Sequence, residues 1–334
     1  MFAQKFFTLF PPPAFLNIPY AGLDISDDAV RCVALSKTSH GMVVHRFGMK
    51  PLSNGIMEGG EIKDPKALSE TITELVRELG VHVVKASLPE EKMYLFKTTV
   101  PSTDQKEMRQ NIEFKLEENV PLSRAESIFF FDPIPSISTN LATQTGTTED
   151  LVSVSVAPRS LVLSYLETIK SAGVTVLSFE MQAKAIARAL IPTGSRDTEM
   201  IVHIMDNKTG IYIVCGGVVC FTSTIPSGYK MALDEKSSQV VIDELKKSIR
   251  QVESYWVEHG NGTAVTGVVF SGQGATTNGL VSQCSASLSG TGDNKIRFDI
   301  GNVWQNAFSS DRYIPPISYD DSHGYVTAVG LALR

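Results

Sequence analysis

The sequence predicts an α/β protein built as two halves that share one order of elements. Three strands, a helix and a further strand can be read in the N-terminal half and again in the C-terminal half, with little sequence identity between them. A repeated order of elements with diverged residues is typical of a duplicated architecture. The 334 residues exceed what one hydrophobic core usually serves, and 43% of them are hydrophobic, so two cores can be filled.

The N-terminal half opens with three apolar runs separated by polar or glycine turns, which predict a meander of neighbouring strands. These runs lie at 21–26, 30–35 and 42–47. A helix follows, because Asp64 is a good N-cap, Pro65 suits the first helical position and Gly80 provides a stop. Its predicted buried face consists of Leu68, Ile72, Leu75, Val76 and Leu79. A strand over 81–88 completes this half.

The C-terminal half repeats this order. Gly216 and Gly217 predict a hairpin turn between its second and third strands. The three strands are expected at 199–205, 210–215 and 218–225. A helix over 239–258 and a strand over 265–270 complete the repeat.

A segment of different character, at about 93–157, interrupts the N-terminal half. Its helix, predicted over 104–119, carries Met108, Ile112 and Leu116 at helical spacing. Two strands and a Ser/Thr/Asn-rich loop between them are predicted at 127–134, 151–157 and 136–150. The predicted units are therefore an apolar N-terminal segment (1–20), a first half (21–198) that contains this inserted subdomain, and a second half (199–334).

Charge and cysteine content exclude several classes of function. A net charge of -6 and a pI of about 5.6 give no basic surface for nucleic acid. The four cysteines form no CxxC pair, so we expect reduced, packed thiols and no structural zinc. Because the sequence has no apolar run of about 18 residues, we expect a cytoplasmic protein without a membrane span.

Several stretches resemble the actin-like superfamily, and within it the type IV pilus assembly protein PilM family, a relative of the cell-division protein FtsA. The matching stretches are "AGLDISDDAVRCVAL", "NIEFKLEENVPLSRAESIFFFDPI", "FTSTIPSG", "VVFSGQGATTNGL" and "VTAVGLALR". The resemblance implies an actin-like fold, which is a duplicated ribonuclease H-like architecture, with the SHS2-type inserted subdomain of FtsA and PilM. Relatives carry a further subdomain before the long second-half helix, whereas this chain has only Tyr229 to Ser238 there, so that second-half insertion is reduced.

The resemblance also implies a function. It is that of a scaffold for type IV pilus assembly, peripheral to the inner membrane, which binds the cytoplasmic tail of a PilN-like membrane protein and is compatible with a homo-oligomer. Two alternatives stay open: an active ATPase that gates this assembly, and an FtsA-like tether of the division machinery. The tether is less favoured, because it would be expected to end in an amphipathic helix, and "TAVGLALR" is typical of a core helix.

Nucleotide binding between the halves is a further implication. This architecture uses backbone N–H groups of two turns for the phosphates and an acid for Mg²⁺. ATP would then contact Asp24, Ser26, Asp27, Thr209, Gly272, Gly274 and Ala275, with Asp24 also serving the metal. Each has a structural alternative, since Asp24 can cap its turn, Asp27 can be solvated, and small residues at 272–275 can serve tight packing.

Both phosphate turns depart from the family pattern. Ser26 stands where glycine is common, and Asp27 and Asp28 follow it. These two carboxylates would repel a phosphate, because two like charges about 4 Å apart at an effective dielectric constant near 20 repel by about 4 kcal/mol. In the second turn, His203 and Met205 replace the usual aspartate and glycine. We therefore expect weak or lost nucleotide binding, and ATPase activity stays undecided.

The inserted subdomain is the predicted partner site. An extended tail needs an apolar pocket and a strand edge, and the strand "SIFFFDPI" can offer both. Phe114 projects from the subdomain helix outside its apolar stripe. We expect Phe114 to share one groove with Phe129 and Phe131, although a second packing contact is the alternative for Phe114.

Overall fold

The computed structural model describes residues 18–38, 41–101, 104–135, 149–233, 235–260, 263–277, 279–288, 296–309 and 311–333. The strands in these ranges are β1 (Ala21–Ile25), β2 (Ala29–Thr38), β3 (Gly41–Pro51), β4 (Met57–Glu58), β5 (Glu61–Ile62), β6 (Val83–Leu88), β7 (Tyr94–Pro101), β8 (Ser127–Pro133), β9 (Glu149–Pro158), β10 (Thr175–Met181), β11 (Thr198–Ile204), β12 (Thr209–Cys215), β13 (Val218–Ile225), β14 (Gly267–Ser271) and β15 (Arg297–Ile300). The helices are α1 (Pro65–Leu79), α2 (Gln105–Asn119), α3 (Arg159–Ser171), α4 (Gln182–Leu190), α5 (Tyr229–Ala232), α6 (Glu235–His259), α7 (Leu280–Leu288), α8 (Tyr319–Ser322) and α9 (Val326–Ala332). No helix among these residues is long and apolar enough to cross a membrane.

The first half is built on a five-stranded sheet in the order β10-β6-β1-β2-β3. The predicted meander is confirmed, because β1, β2 and β3 pair antiparallel in sequence order. The strands β6 and β10 extend the sheet in parallel on the other side of β1. As a consequence, the turn between β1 and β2 lies at the end of a central strand.

Helix α1 covers one face of this sheet, and its ends are those expected from the sequence. Asp64 Oδ1 accepts hydrogen bonds from the backbone N–H groups of Lys66 at 3.1 Å and Ala67 at 3.0 Å. Gly80 ends the helix with φ of 59°, in the left-handed region that glycine adopts readily. The predicted apolar face is buried at Leu68, Ile72, Leu75 and Val76.

The second half repeats the plan with a five-stranded sheet in the order β13-β12-β11-β14-β15. Helix α6 starts at Glu235, four residues before the predicted start at Gln239, and ends at His259. Its apolar face contributes to the core under this sheet with Val241, Leu245, Ile249, Val252 and Trp256. The chain passes from β13 to α6 through the short helix α5, so the reduced insertion expected here is present as a short connection.

A third core joins the two halves. Helix α9 lies against β1 and α4, and it brings the C-terminal residues back to the first half. The shared core contains Ile186 of α4 and Val329 of α9 together with Tyr212 of β12. The halves are therefore packed against each other along α4 and α9.

The inserted subdomain is a three-stranded sheet in the order β7-β9-β8, with α2 on one face. Its other face meets the second half, where Ser153 Oγ donates to the Val219 carbonyl at 2.6 Å and Lys97 Nζ donates to the His259 carbonyl at 2.9 Å. Within the described ranges, no strand pairs with the outer edge of β8. Most of the predicted 136–150 loop and nearly all of the 1–20 segment lie outside the described residues.

The first prediction concerns α1. Ile72→Ala should lower the free energy of unfolding by about 2 to 5 kcal/mol, because Ile72 is fully buried between the helix and the sheet. Urea unfolding followed by circular dichroism measures the change, with Glu70→Ala at an exposed position of the same helix as the control. A loss below about half a kilocalorie per mole in Ile72→Ala would contradict this packing.

Candidate functional site

A small polar cleft lies between the halves, at the ends of β1, β11 and β14. It is lined by side chains that include Asp24, Ser26, Arg31, His203, Asp206 and His323. Its interior leaves about 20 Å³ for the centres of water-sized spheres. Such a space has room for a few water molecules at most.

Asp24 lies at the end of β1 as expected, but neighbouring side chains already bind its carboxylate. Oδ1 accepts hydrogen bonds from Ser87 Oγ at 2.8 Å and Gln182 Nε2 at 3.0 Å. Burial raises the pKa of Asp24, against the opposing attraction of the nearby Arg31. Ser87 and Gln182 belong to β6 and α4 of the first half, so Asp24 holds three elements of that half together.

Arg31, which sequence reasoning missed, is the cation of the cleft. Its guanidinium donates to Ser26 Oγ at 3.0 Å and to Asp28 Oδ2 at 2.6 Å, and only 6% of the residue is exposed. Asp28 is therefore not a solvated turn residue, because it forms an ion pair with Arg31 that lowers the pKa of Asp28 despite its burial. The only sequence signal was an arginine within a buried, otherwise apolar strand.

The remaining acids do not fit a Mg²⁺ ion. Asp206 forms an ion pair with Lys230 Nζ at 2.6 Å, and Asp28 is paired with Arg31. Across the described residues, no three His, Cys, Asp or Glu side chains converge on one point. A buried guanidinium next to Asp24 also repels a divalent cation. The side chains around Asp24 therefore disfavour the metal site that the family resemblance implies.

His203 and Met205 both line the cleft in the second half. His203 is 6% exposed, and burial lowers its pKa to about 3, with Arg31, His323 and Lys208 acting in the same direction. The imidazole is therefore neutral near pH 7 and cannot replace the negative charge of an aspartate.

The cleft brings together only some of the predicted nucleotide residues. Asp24, Ser26 and Gly272 line it. Asp27 instead accepts a hydrogen bond from the Gly60 N–H at 2.9 Å, so it is not a free turn residue. Thr209 is fully buried and donates to the Ser227 carbonyl at 2.7 Å, which is a structural contact within the second half.

Gly274 and Ala275 serve packing rather than the lining of the cleft. A Cβ on Gly274 would stand 2.3 Å from Ile204 Cγ2 and 2.8 Å from Tyr229 Cβ. Ala275 is buried in the core of the second half. The alternative of tight strand-to-helix packing therefore describes these two positions.

The predicted partner residues do not form one groove in the structure. Phe129 is 4% exposed and lies in the subdomain core, where Phe131 also packs. Phe114 is 72% exposed on the outer side of α2, opposite the buried stripe, with the Arg124 guanidinium 5.2 Å from its ring centre. Phe130, which the sequence patterns did not single out, is 52% exposed on the edge strand β8.

Two duplicated α/β halves around a polar cleft, with an inserted subdomain in the first half, define a protein of the actin-like fold. The chain belongs to the family described as Type IV pilus assembly protein PilM, whose family model matches residues 22–239. A comparison with curated protein sequences finds no significant match.

Solved structures agree with this fold. A structure described as a PilM-PilN type IV pilus biogenesis complex matches with a TM-score of 0.77 and 19% identity, over 94% of this chain and 98% of that chain. The ethanolamine utilization protein EutJ from Carboxydothermus hydrogenoformans matches with a TM-score of 0.50 and 15% identity, over 95% and 90% of the two chains. At these identities the similarity establishes the fold alone.

The second prediction concerns His203. The unfolded chain takes up a proton at this residue below its ordinary pKa of 6.5, whereas the folded protein does so only near 3, so stability is lost as the pH falls through that window. Relative to His203→Gln, the wild type should lose about 2 to 3 kcal/mol between pH 6.5 and 4.5, at 1.36 kcal/mol per pH unit. Urea titrations at each pH measure the difference. Parallel curves for wild type and His203→Gln would contradict the prediction.

Proposed function

We propose that this protein is a scaffold of type IV pilus assembly, that it binds the cytoplasmic tail of a PilN-like inner-membrane protein, and that its nucleotide binding is weak or lost. Membership of the PilM family supports the assembly role, and the similarity to a PilM-PilN complex supports the partner. The partner would hold the protein at the cytoplasmic face of the inner membrane. In this proposal the units keep the bounds 1–20, 21–198 and 199–334.

The size of the cleft is the observation that carries the nucleotide part of the proposal. Room for a few water molecules does not hold a nucleotide, since pockets that enclose drug-sized ligands measure roughly 300 to 1,000 Å³. The charges inside it are also paired internally, Asp28 with Arg31 and Asp206 with Lys230. A nucleotide would have to open the cleft and displace these pairs, and both steps cost binding free energy.

The open edge of β8 supports the partner part of the proposal. An extended tail can add to this edge by main-chain hydrogen bonds, and the half-exposed Phe130 beside it can receive an apolar side chain. The edge is preformed, since β8 pairs with β9 from Ser127 to Pro133 and its Asp132 forms an ion pair with Lys184 Nζ of α4 at 2.6 Å. A rigid edge reduces the ordering cost of binding to that of the tail alone.

The third prediction concerns ATP. Isothermal titration calorimetry with ATP and Mg²⁺ should detect no binding tighter than roughly millimolar, which corresponds to about -4 kcal/mol. The physical reason is the closed, internally paired cleft. Titration of MgCl₂ alone gives the reference heat, and a micromolar dissociation constant for ATP would contradict the prediction.

The fourth prediction concerns the partner tail. Phe130→Ala should weaken binding of a fluorescently labelled PilN-like tail peptide by about 2 kcal/mol, or roughly thirtyfold, because exposed aromatic anchors at an interface contribute that much. Fluorescence anisotropy measures the affinity, and a melting curve tests that the fold is intact.

Phe114→Ala is the matched variant for this experiment, since Phe114 is an exposed phenylalanine on the outer side of α2. A loss of affinity in Phe114→Ala alone would place the tail on α2 instead of the β8 edge. Unchanged affinity in both variants would place the partner outside the inserted subdomain.

A further inference from the structure

A cluster of polar side chains joins the two halves beside the cleft. Lys208, in the turn between β11 and β12, forms an ion pair with Glu91. Its Nζ also lies 3.5 Å from Oδ2 of Asp27, in the turn between β1 and β2. Tyr212 on β12 donates its hydroxyl hydrogen to the carboxylate of Glu90. We call these five residues, Asp27, Glu90, Glu91, Lys208 and Tyr212, the inter-half clasp.

The clasp is largely shielded from solvent. The side chains of Lys208 and Glu91 are each 16% exposed, and that of Asp27 is 28% exposed. Burial alone lowers the pKa of Lys208, but the attraction of Glu91, Asp27 and Glu90 outweighs it and raises that pKa, so the lysine stays charged. Partly buried charge pairs are screened less by salt than exposed pairs, so the attraction between Lys208 and its acidic partners persists at physiological ionic strength.

The position of the clasp separates it from the other contacts between the halves, which include the shared apolar core and the hydrogen bonds of Ser153 and Lys97 to the second half. The shared apolar core runs along α4 and α9. The clasp instead connects the two turns at the mouth of the cleft, because Asp27 stands between the cleft residues Ser26 and Asp28. Loss of the clasp would therefore leave the apolar core as a hinge about which the halves could rotate while each stays folded.

We infer that the inter-half clasp holds the two halves closed without a ligand. Its side chains join the β1–β2 turn to the β11–β12 turn, which are the two turns that the family resemblance assigns to phosphate binding. Lys208 supplies the bridging charge, and Tyr212 fixes the adjacent Glu90. The inference does not depend on the proposed role in pilus assembly, because it concerns the isolated chain.

The test measures the angle between the halves in solution. Nitroxide labels on Glu70→Cys in α1 and Gln251→Cys in α6 report the distance between exposed positions of the two halves, while the four native cysteines are buried. The labelled protein should give one narrow distance distribution by double electron–electron resonance. Lys208→Met, which removes the charge and keeps the length of the side chain, should add a second maximum to this distribution.

Hydrogen exchange is the second readout. In Lys208→Met, peptides spanning 24–31 and 204–212 should exchange at least tenfold faster than in the wild type.

Lys230→Met is the matched control, since Lys230 forms an ion pair with Asp206 inside the second half at 2.6 Å. It should keep the wild-type distance distribution. A folded Lys208→Met protein with the wild-type distribution and wild-type exchange would overturn the inference.

If Lys208→Met does not fold, two milder variants decide the question. Tyr212→Phe removes only the hydroxyl that binds Glu90, and Glu91→Gln removes one carboxylate partner of Lys208. Each variant should broaden the distance distribution toward the second maximum that is expected for Lys208→Met. Wild-type distributions in both variants would overturn the inference.

Discussion

The close packing of α9 against β1 and α4 is the contact on which the arrangement of the halves depends. A Cβ on Gly22 of β1 would stand 2.0 Å from the Ala328 carbonyl oxygen, and one on Gly330 would stand 1.8 Å from the Ala185 carbonyl oxygen. The backbones can approach this closely only because both positions lack a side chain. Through this contact α9 packs against β1. The strand β1 carries Asp24 and leads into the turn that faces the second half.

The charges of the cleft follow from the burial of Arg31. A buried guanidinium requires partners, and it finds them in Asp28 and the hydroxyl of Ser26 at the turn beside it. Asp28 is thus neutralised from within the first half, and Asp27 lies near Lys208 of the second half, so the proposal of weak nucleotide binding does not rest on repulsion by these acids. The proposal rests instead on space and internal pairing, because the residues that line the cleft offer a triphosphate neither an unpaired cation nor an open volume.

Local patterns in the sequence predicted the elements well and the site poorly. The ends of α1 follow from Asp64 and Gly80, which act on their own helix. Alternation along "SIFFFDPI" places Phe129 and Phe131 on one face and Phe130 on the other, but three consecutive phenylalanines do not reveal which face lies under α2. The partners of Asp27 are Gly60 and Lys208, which only the folded chain brings close.

The inserted subdomain connects the proposed partner surface to the arrangement of the halves. It belongs in sequence to the first half, yet Ser153 and Lys97 bind backbone carbonyls of the second half. A rotation of the halves must therefore break these hydrogen bonds or carry the subdomain, with the β8 edge, along with the second half. The second course would strain the ion pair between Asp132 of β8 and Lys184 of α4, which ties the same sheet to the first half. A ligand that binds the β8 edge in only one of these arrangements would shift the equilibrium between them, and by linkage the arrangement of the halves would change the affinity for that ligand by the same factor.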